Sequence, residues 1–324
     1  MQFVYFRRQY VALSFKSRCF QWPKKMFFLT FIKSIIDSFS VFFQRKIDRE
    51  FKADKLKESF IKKWIVNKQG DKYFNFKGAF IPDISNDDKI WDCFYDDFPS
   101  VLFFHCFCND NYSEKKVLQY NHLLGEGVYC YINDCVDVTV NEGDIVIDAG
   151  SFIGDFAAFA ASRKAITYAF EPAALTYNYL LQTAKLNGYS IIPIKKGLGN
   201  KEECLDLIIS ERPGGNSLSD DKLSRFNDKV ERSERIELTT VDSFVKEYQL
   251  KKVDFIKADI EGYERYMLEG ARETLRIFAP KLSICTYHLP DDPTVLEQII
   301  KEANPNYQVV HTKKKLFASI RTNL

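Results

Sequence analysis

The stretch DIVIDAGSFIGDF, Asp144–Phe156, decides how the rest of the chain is read. Ile145–Gly150 opens with a short apolar run rich in β-branched residues, as a strand buried on both faces requires. The strand ends at Asp148. Gly150 then permits a tight turn, and Gly154 lets the next helix begin close to a ligand. The spacing is G-x-x-x-G. A dinucleotide site has G-x-G-x-x-G, with its second glycine against a pyrophosphate. Here an acid precedes the glycines instead. Asp148 would repel a pyrophosphate but suits a cationic, amine-bearing ligand such as S-adenosylmethionine.

Outward from this stretch the chain alternates strands and helices. An Ala-rich helix is predicted over 154–162, a strand over Ala165–Phe170, and a helix over 173–187 that stops at Asn187-Gly188, a C-cap signal. Ser190–Ile194 reads as a third strand. Two further β-like runs, CLDLIIS and RIELTTV, flank a loop at Pro213–Asp220. A helix near 242–249, a strand over Val253–Ala258, a helix from about 262 to 277 and a strand over Lys281–Tyr287 follow. Asp292-Pro293 opens another helix, with Asp as N-cap and Pro in first position. YQVVHT and KLFASIR close the chain as a hairpin through Lys313–Lys315. Such repeats predict a mostly parallel sheet covered on both faces, with ligands at the carboxyl ends of its strands.

Several acids fall at those ends. Glu171, in FEP (Phe170–Pro172), lies 23 positions after Asp148, about where a carboxylate meets ribose hydroxyls. The first eleven residues of DFIKADIEGYERYMLEG (Asp254–Gly270) carry four acids. Asp259 ends its strand and faces the same cleft. Glu261 and Glu264 open the next helix, where acids favour the helix dipole and cap free N–H groups. Asp254 starts the strand, away from the cleft. The next strand ends at Tyr287-His288, which brings an imidazole beside Asp259 as a general-base candidate. Asp259 and Glu261 are also spaced as a ligand pair for a divalent metal, with no third ligand evident from the sequence.

The 324 residues suffice for one large domain with an extension, or two domains. Residues 1–70 hold 16 Lys/Arg against 5 Asp/Glu, while the remainder is net acidic. This basic, aromatic, helical arm suits an anionic membrane or nucleic-acid surface, or is a solvated helical face. The run Met26–Phe43 is nearly membrane-length, but Lys33 and Asp37 interrupt it, so the alternatives are an interfacial helix and one packed on the main domain. Eight cysteines without a CxxC pair indicate reduced thiols in a cytoplasmic protein. HCFCND (His105–Asp110) is a weak zinc signal for want of a second ligand pair. Residues 71–126 read as an irregular connecting or substrate-side region, and 127–324 as the catalytic domain.

With these residues in place, the chain resembles the FkbM family of S-adenosylmethionine-dependent methyltransferases. The resemblance rests on VIDAGSFIGDF, FEP with LTYNYLLQTAKLNG, GLGNKEE, TTVDSF, DFIKADIEGYERYMLEGA and PKLSICTYHLPDD, in family order from about 127 to 321. It implies an α/β class I methyltransferase (Rossmann-like) fold: a doubly wound seven-stranded sheet with an antiparallel last strand. It also implies that Asp148, Gly150, Ser151 and Gly154 line the methionine side of the cofactor, and that Glu171, with Pro172, holds the ribose. The expected activity is O-methylation of a hydroxyl on a glycan, glycolipid or related natural product, with Asp259 or His288 taking the proton. In the competing version a metal on Asp259 and Glu261 acidifies the hydroxyl. The alternatives are an RNA methyltransferase using the basic arm and a non-catalytic cofactor-binding subunit of a glycan assembly complex. An adenine N-methyltransferase would show an Asn/Asp-Pro-Pro-aromatic turn where this chain has Asp259-Ile-Glu-Gly. The expected location is the cytoplasm, with residues 1–70 as a peripheral contact at the inner membrane face.

Overall fold

A computed structural model describes residues 65–66, 70, 72–84, 86–97, 101–102, 105, 111–120, 127–218 and 230–320. The basic arm expected over 1–70 lies outside the described residues, except for Ile65–Val66 and Gly70. Ile65–Val66 is a short strand rather than helix, paired with Lys72 and Tyr73.

Seven strands form the central sheet: β1 (Ile145–Ala149), β2 (Ile166–Phe170), β3 (Ile191–Ile194), β4 (Phe255–Ala258), β5 (Lys281–Cys285), β6 (Gln308–His311) and β7 (Lys315–Ser319). Their spatial order is β6-β7-β5-β4-β1-β2-β3. β1 to β5 run parallel, and β7 enters antiparallel to both β5 and β6. This is the class I methyltransferase topology. The chain winds outward through β1, β2 and β3, then returns to the other side of β1 at β4. The strand order therefore reverses between β1 and β4, and a crevice opens at their carboxyl ends.

Period-two alternation divides the apolar residues between the two faces. Val146 and Phe255 join Phe156, Ala157 and Phe317 on one side, under the helix Asp155–Ser162. Ile147, Ala149, Ile256 and Ala258 join Phe244, Leu268 and Leu296 on the other, under Val241–Glu247, Glu264–Glu269 and Asp292–Ala303. Each such side chain contributes roughly 1.5–3 kcal/mol on burial. Helices on both faces explain why β1 and β4 read as continuous apolar runs.

Between β3 and β4 the chain leaves the sheet to form an antiparallel pair, Glu203–Ser210 with Val230–Thr239, to which Gly197–Leu198 adds in parallel. The helix expected from about 262 to 277 is instead two helices, Glu264–Glu269 and Arg272–Ile277. They part at Gly270, where a Cβ would lie 2.1 Å from the Gly199 carbonyl oxygen. The N-cap of the last helix is Asp291, not Asp292. The Asp292 carboxylate accepts the Leu289 N–H and meets Arg265.

The stretch read as irregular over 71–126 carries regular elements. Lys72–Phe76 and Ala79–Pro82 form a hairpin across Lys77-Gly78, both at positive φ, the turn that suits strand twist. Helices Asp88–Asp97 and Glu114–Tyr120 follow. Among the described residues no helix is long and apolar enough to cross a membrane.

The junction of β1 and β4 is tight. Gly150 has φ 73°, and a Cβ there would lie 1.9 Å from the Asp259 carbonyl oxygen. Gly150→Ala should therefore cost about 3 kcal/mol or more, since overlap with rigid backbone adds to left-handed strain. Urea unfolding measures this, and a loss below about 1 kcal/mol would show that the junction has room to relax.

Candidate active site

The crevice at the carboxyl ends of β1, β2 and β4 holds a cleft of about 670 Å³, counting space open to solvent. Gly150, Phe152, Glu171 and Pro172 form one wall, and Asp259, Ile260 and Glu261 another. The antiparallel pair roofs it with Leu207, Ile236 and Leu238, while Pro213, Gly214, Asn216 and Leu218 close the rim. Three of the residues picked out for cofactor binding thus reach the wall: Gly150, Glu171 and Pro172.

Asp148, Ser151 and Gly154 do not line this cleft. Asp148 is fully buried behind the wall, 3.0 Å from Nζ of Lys257. Ser151 is buried too and donates its hydroxyl to the Asp148 carbonyl. Gly154 faces Leu180 and Thr183 of the helix Ala174–Asn187, so its smallness serves helix packing.

Lys257 is the reason an acid can sit on the innermost strand. Its ammonium also donates to the carbonyls of Ala149 and Gly150. Burial works against its charge, but Asp148, Asp259 and Asp155 hold its pKa above the ordinary lysine value. Asp155 pays the desolvation cost less fully, and burial pushes it up to about 6 despite Lys257.

Glu171 is nine-tenths buried. Its carboxylate accepts the N–H groups of Phe152 at 2.9 Å and Ala173 at 3.0 Å, and the Thr176 hydroxyl at 2.8 Å. Burial still raises its pKa to about 7.

At the opposite end Asp259 is the centre. Its Oδ2 accepts the Tyr129 hydroxyl at 2.5 Å, and its Oδ1 accepts the Tyr287 hydroxyl at 3.3 Å. Burial opposes ionisation, but Lys315, His288, Lys257 and the Tyr129 hydroxyl hold the carboxyl well below the usual range. Lys315 is fully buried beneath, its Nζ 3.8 Å from the Tyr129 ring centre and 3.2 Å from Cys285 Sγ. A carboxylate so firmly ionised is a weak proton acceptor and a good anchor.

The structure does bring His288 to Asp259. The imidazole is buried, with Nε2 at 3.5 Å from Asp259 Oδ1 and 3.5 Å from Glu261 Oε2. Its Nδ1 lies 2.8 Å from Oε1 of Glu264. Glu264, read from sequence as a helix-start acid, does take the N–H groups of Ile260 and Gly262. It is also fully buried and faces the imidazole. Asp254 lies at the far end as expected, accepting the Ile145 N–H. Asp259, Glu264 and His288 present ligand atoms close enough together to hold a metal ion. Of the zinc candidate His105–Asp110 only His105 is described; it is buried, 2.9 Å from the Ser162 hydroxyl.

Sequence reasoning missed Lys257, Lys315, Tyr129 and the inward role of Glu264. A lysine inside the apolar strand FIKA was itself a signal, because a buried ammonium requires a paired anion.

Residues 137–309 match the family described as methyltransferase FkbM domain. The hexuronic acid methyltransferase AglP of Haloferax volcanii is 27% identical over 172 residues, 52% of this chain and 66% of that protein. Methyltransferase 1 of Beauveria bassiana is 26% identical over 159 residues, 43% of this chain and 64% of that protein. The chain thus spans slightly less than two thirds of these relatives. The crystal structure of an FkbM methyltransferase from Methylobacillus flagellatus is similar at 22% identity and a TM-score of 0.44, covering 72% of this chain and 55% of that one.

Lys257→Met would leave Asp148 buried without its cation. We expect a loss of about 3–5 kcal/mol in urea unfolding, partly restored by adding Asp148→Asn. An unchanged midpoint in the single variant would remove Lys257 from its central place.

Proposed function

Because the chain belongs to the FkbM methyltransferase family, we propose that it is an S-adenosylmethionine-dependent O-methyltransferase acting on a hydroxyl of a glycan, glycolipid or related natural product. The observation that carries this reading is the pairing of a ribose-type acid, Glu171, with an acceptor-type cluster, Asp259 and His288, at the reversal point of the sheet. The cofactor suits the cleft. Leu198, Leu207, Ile236 and Leu238 offer apolar walls for a purine ring, Glu171 an acceptor for ribose hydroxyls, and Asp259 a fixed anion for a cationic centre. Glycans carrying a hexuronic acid are the acceptors to try first, because AglP of Haloferax volcanii is named for that substrate.

When bound, the cofactor supplies an electrophilic methyl group on a sulfonium. The protein's residues then have two tasks. The cleft walls hold the acceptor oxygen in line with that methyl, which supplies much of the rate. His288 takes the acceptor's proton, while Asp259 stays ionised beside it and steadies the resulting imidazolium. Asp259→Asn and His288→Ala should each slow methyl transfer to surface glycans by about 10²–10⁴-fold, with cofactor affinity in calorimetry nearly unchanged. Two fully active variants would overturn the assignment.

A metal-assisted version has its own support in the closeness of Asp259, Glu264 and His288. Methyl transfer abolished by EDTA and restored by Mn²⁺ would favour it; indifference to EDTA removes it. The remaining proposals concern the setting: cytoplasmic action, with residues 1–70 as a peripheral membrane contact. Strong, salt-dependent RNA binding would favour the nucleic-acid alternative instead.

Glu171 gives the cofactor reading a pH signature. Its pKa is raised from 4.5 to about 7, so the folded protein holds a proton there that the unfolded chain has released. Ribose hydroxyls donate to the ionised form. Affinity for S-adenosylmethionine should therefore rise as pH passes through about 7. Glu171→Gln should be weaker and flat over that range, which separates it from Asp155 behind the wall. Absence of any cofactor binding by the folded wild-type chain would sink the reading.

A further inference from the structure

We infer that Lys89 and Cys93, on the helix Asp88–Asp97, are positioning residues of the cofactor end, which hold the rim 213–218 in place over the cleft. This rests on the reading above, in which that cleft takes S-adenosylmethionine. The helix lies ahead of the residues matched to the family, 137–309, so part of the binding site is held from outside the matched region.

The helix is anchored on its inner side. Ile90, Cys93 and Phe94 are buried, at the i, i+3, i+4 spacing of a core-facing stripe. Ile90 and Phe94 join the same core as Val146 and Phe156. The chain leading into the helix is tied to the helix Ala174–Asn187, which begins just after Glu171 and Pro172. The Asn187 side chain accepts the Phe80 N–H at 3.0 Å and donates to the Phe80 carbonyl at 2.6 Å. The Tyr179 hydroxyl donates to Asp87 at 3.2 Å.

The other side of the helix meets the roof. Lys89 and Cys93 are four residues apart and so are neighbours on the helix surface. Lys89 pairs with Glu231, at the start of the roof strand Val230–Thr239. The hydrogen bond to Glu231, then the charges of Glu231, Glu211 and Asp87, hold the ammonium above the ordinary lysine value. Cys93 lies against the rim turn Pro213–Gly215: a Cβ on Gly214 would stand 3.7 Å from both Cβ and Sγ of Cys93. The far end of the rim is held too, because the Ser217 hydroxyl donates to the Glu261 carbonyl at 3.2 Å. An exposed ion pair such as Lys89–Glu231 contributes little to folding. Its effect here is placement, since Pro213 and Gly214 line the cleft.

The test uses the full chain. Lys89→Glu sets like charges against each other and should weaken S-adenosylmethionine binding, by calorimetry at low salt, about 3–5-fold with the urea midpoint nearly unchanged. Adding Glu231→Lys should recover part of that loss. Gly214 is not in the left-handed region, and its spacing from Cys93 suits a disulfide. Gly214→Cys should therefore form a bridge to Cys93, found by peptide mass mapping. In a chain carrying both Lys89→Glu and Gly214→Cys, the oxidised form should bind the cofactor more tightly than the same chain reduced with dithiothreitol, because the bridge replaces the lost ion pair. Unchanged affinity in Lys89→Glu overturns the inference. So does a folded Gly214→Cys chain that forms no bridge to Cys93, or a bridge that restores no affinity. Bridge formation needs no cofactor, so a failure of the methyltransferase reading shows separately, as a wild-type chain that binds no S-adenosylmethionine.

Discussion

The ammonium of Lys257 is the fixed point of the site. It lies between β1 and β4, paired with Asp148 and bonded to the carbonyls of Ala149 and Gly150. Asp155 and Asp259 share its charge. Three acids can gather at the reversal point of the sheet because one buried cation, with Lys315 beneath Asp259, offsets part of their mutual repulsion and desolvation, least completely for Asp155. A buried pair of this kind contributes little net stability compared with an apolar replacement of the same shape. Its value here is placement: it fixes the ends of two strands relative to each other, and with them Asp259 relative to the cleft.

From that point the cleft acquires two unlike ends. Glu171 is held by neutral donors and sits near the middle of its titration, so it can respond to what binds. Asp259 is held by lysines and a tyrosine hydroxyl and stays ionised. The two carboxylates differ through their partners and not their exposure, since both are largely buried. One can form or lose hydrogen bonds across the neutral range; the other presents a permanent charge.

Much of this order is legible in the sequence. IVIDAG, AITYAF and FIKA announce buried parallel strands, and the acids after them fall at carboxyl ends because topology puts them there. That reasoning picks out Asp259, Glu171 and His288 as residues at the carboxyl ends of their strands. The burial of Asp148 was not legible, because position along a strand does not reveal which way a side chain points, and its partner, Lys257, is more than 100 residues away. Glu264 was half read. Its capping of the turn follows from local pattern, whereas its approach to His288 depends on how β5 ends beside β4. Lys315 reads as one of three lysines in a hairpin turn, and only the antiparallel insertion of β7 carries it under Tyr129.

The roof of the cleft is added to the sheet rather than being part of it. Glu203–Ser210 and Val230–Thr239 pair with each other, and none of the seven central strands depends on them for its ladder. Their apolar face still supplies Leu207, Ile236 and Leu238 to the cavity. The apolar cover of the cleft and the charges at the strand ends are therefore carried by separable parts of the chain. Changes in the length or surface of the roof can retune which molecules are enclosed while the register of the strands, and the charges fixed at their ends, stay as they are.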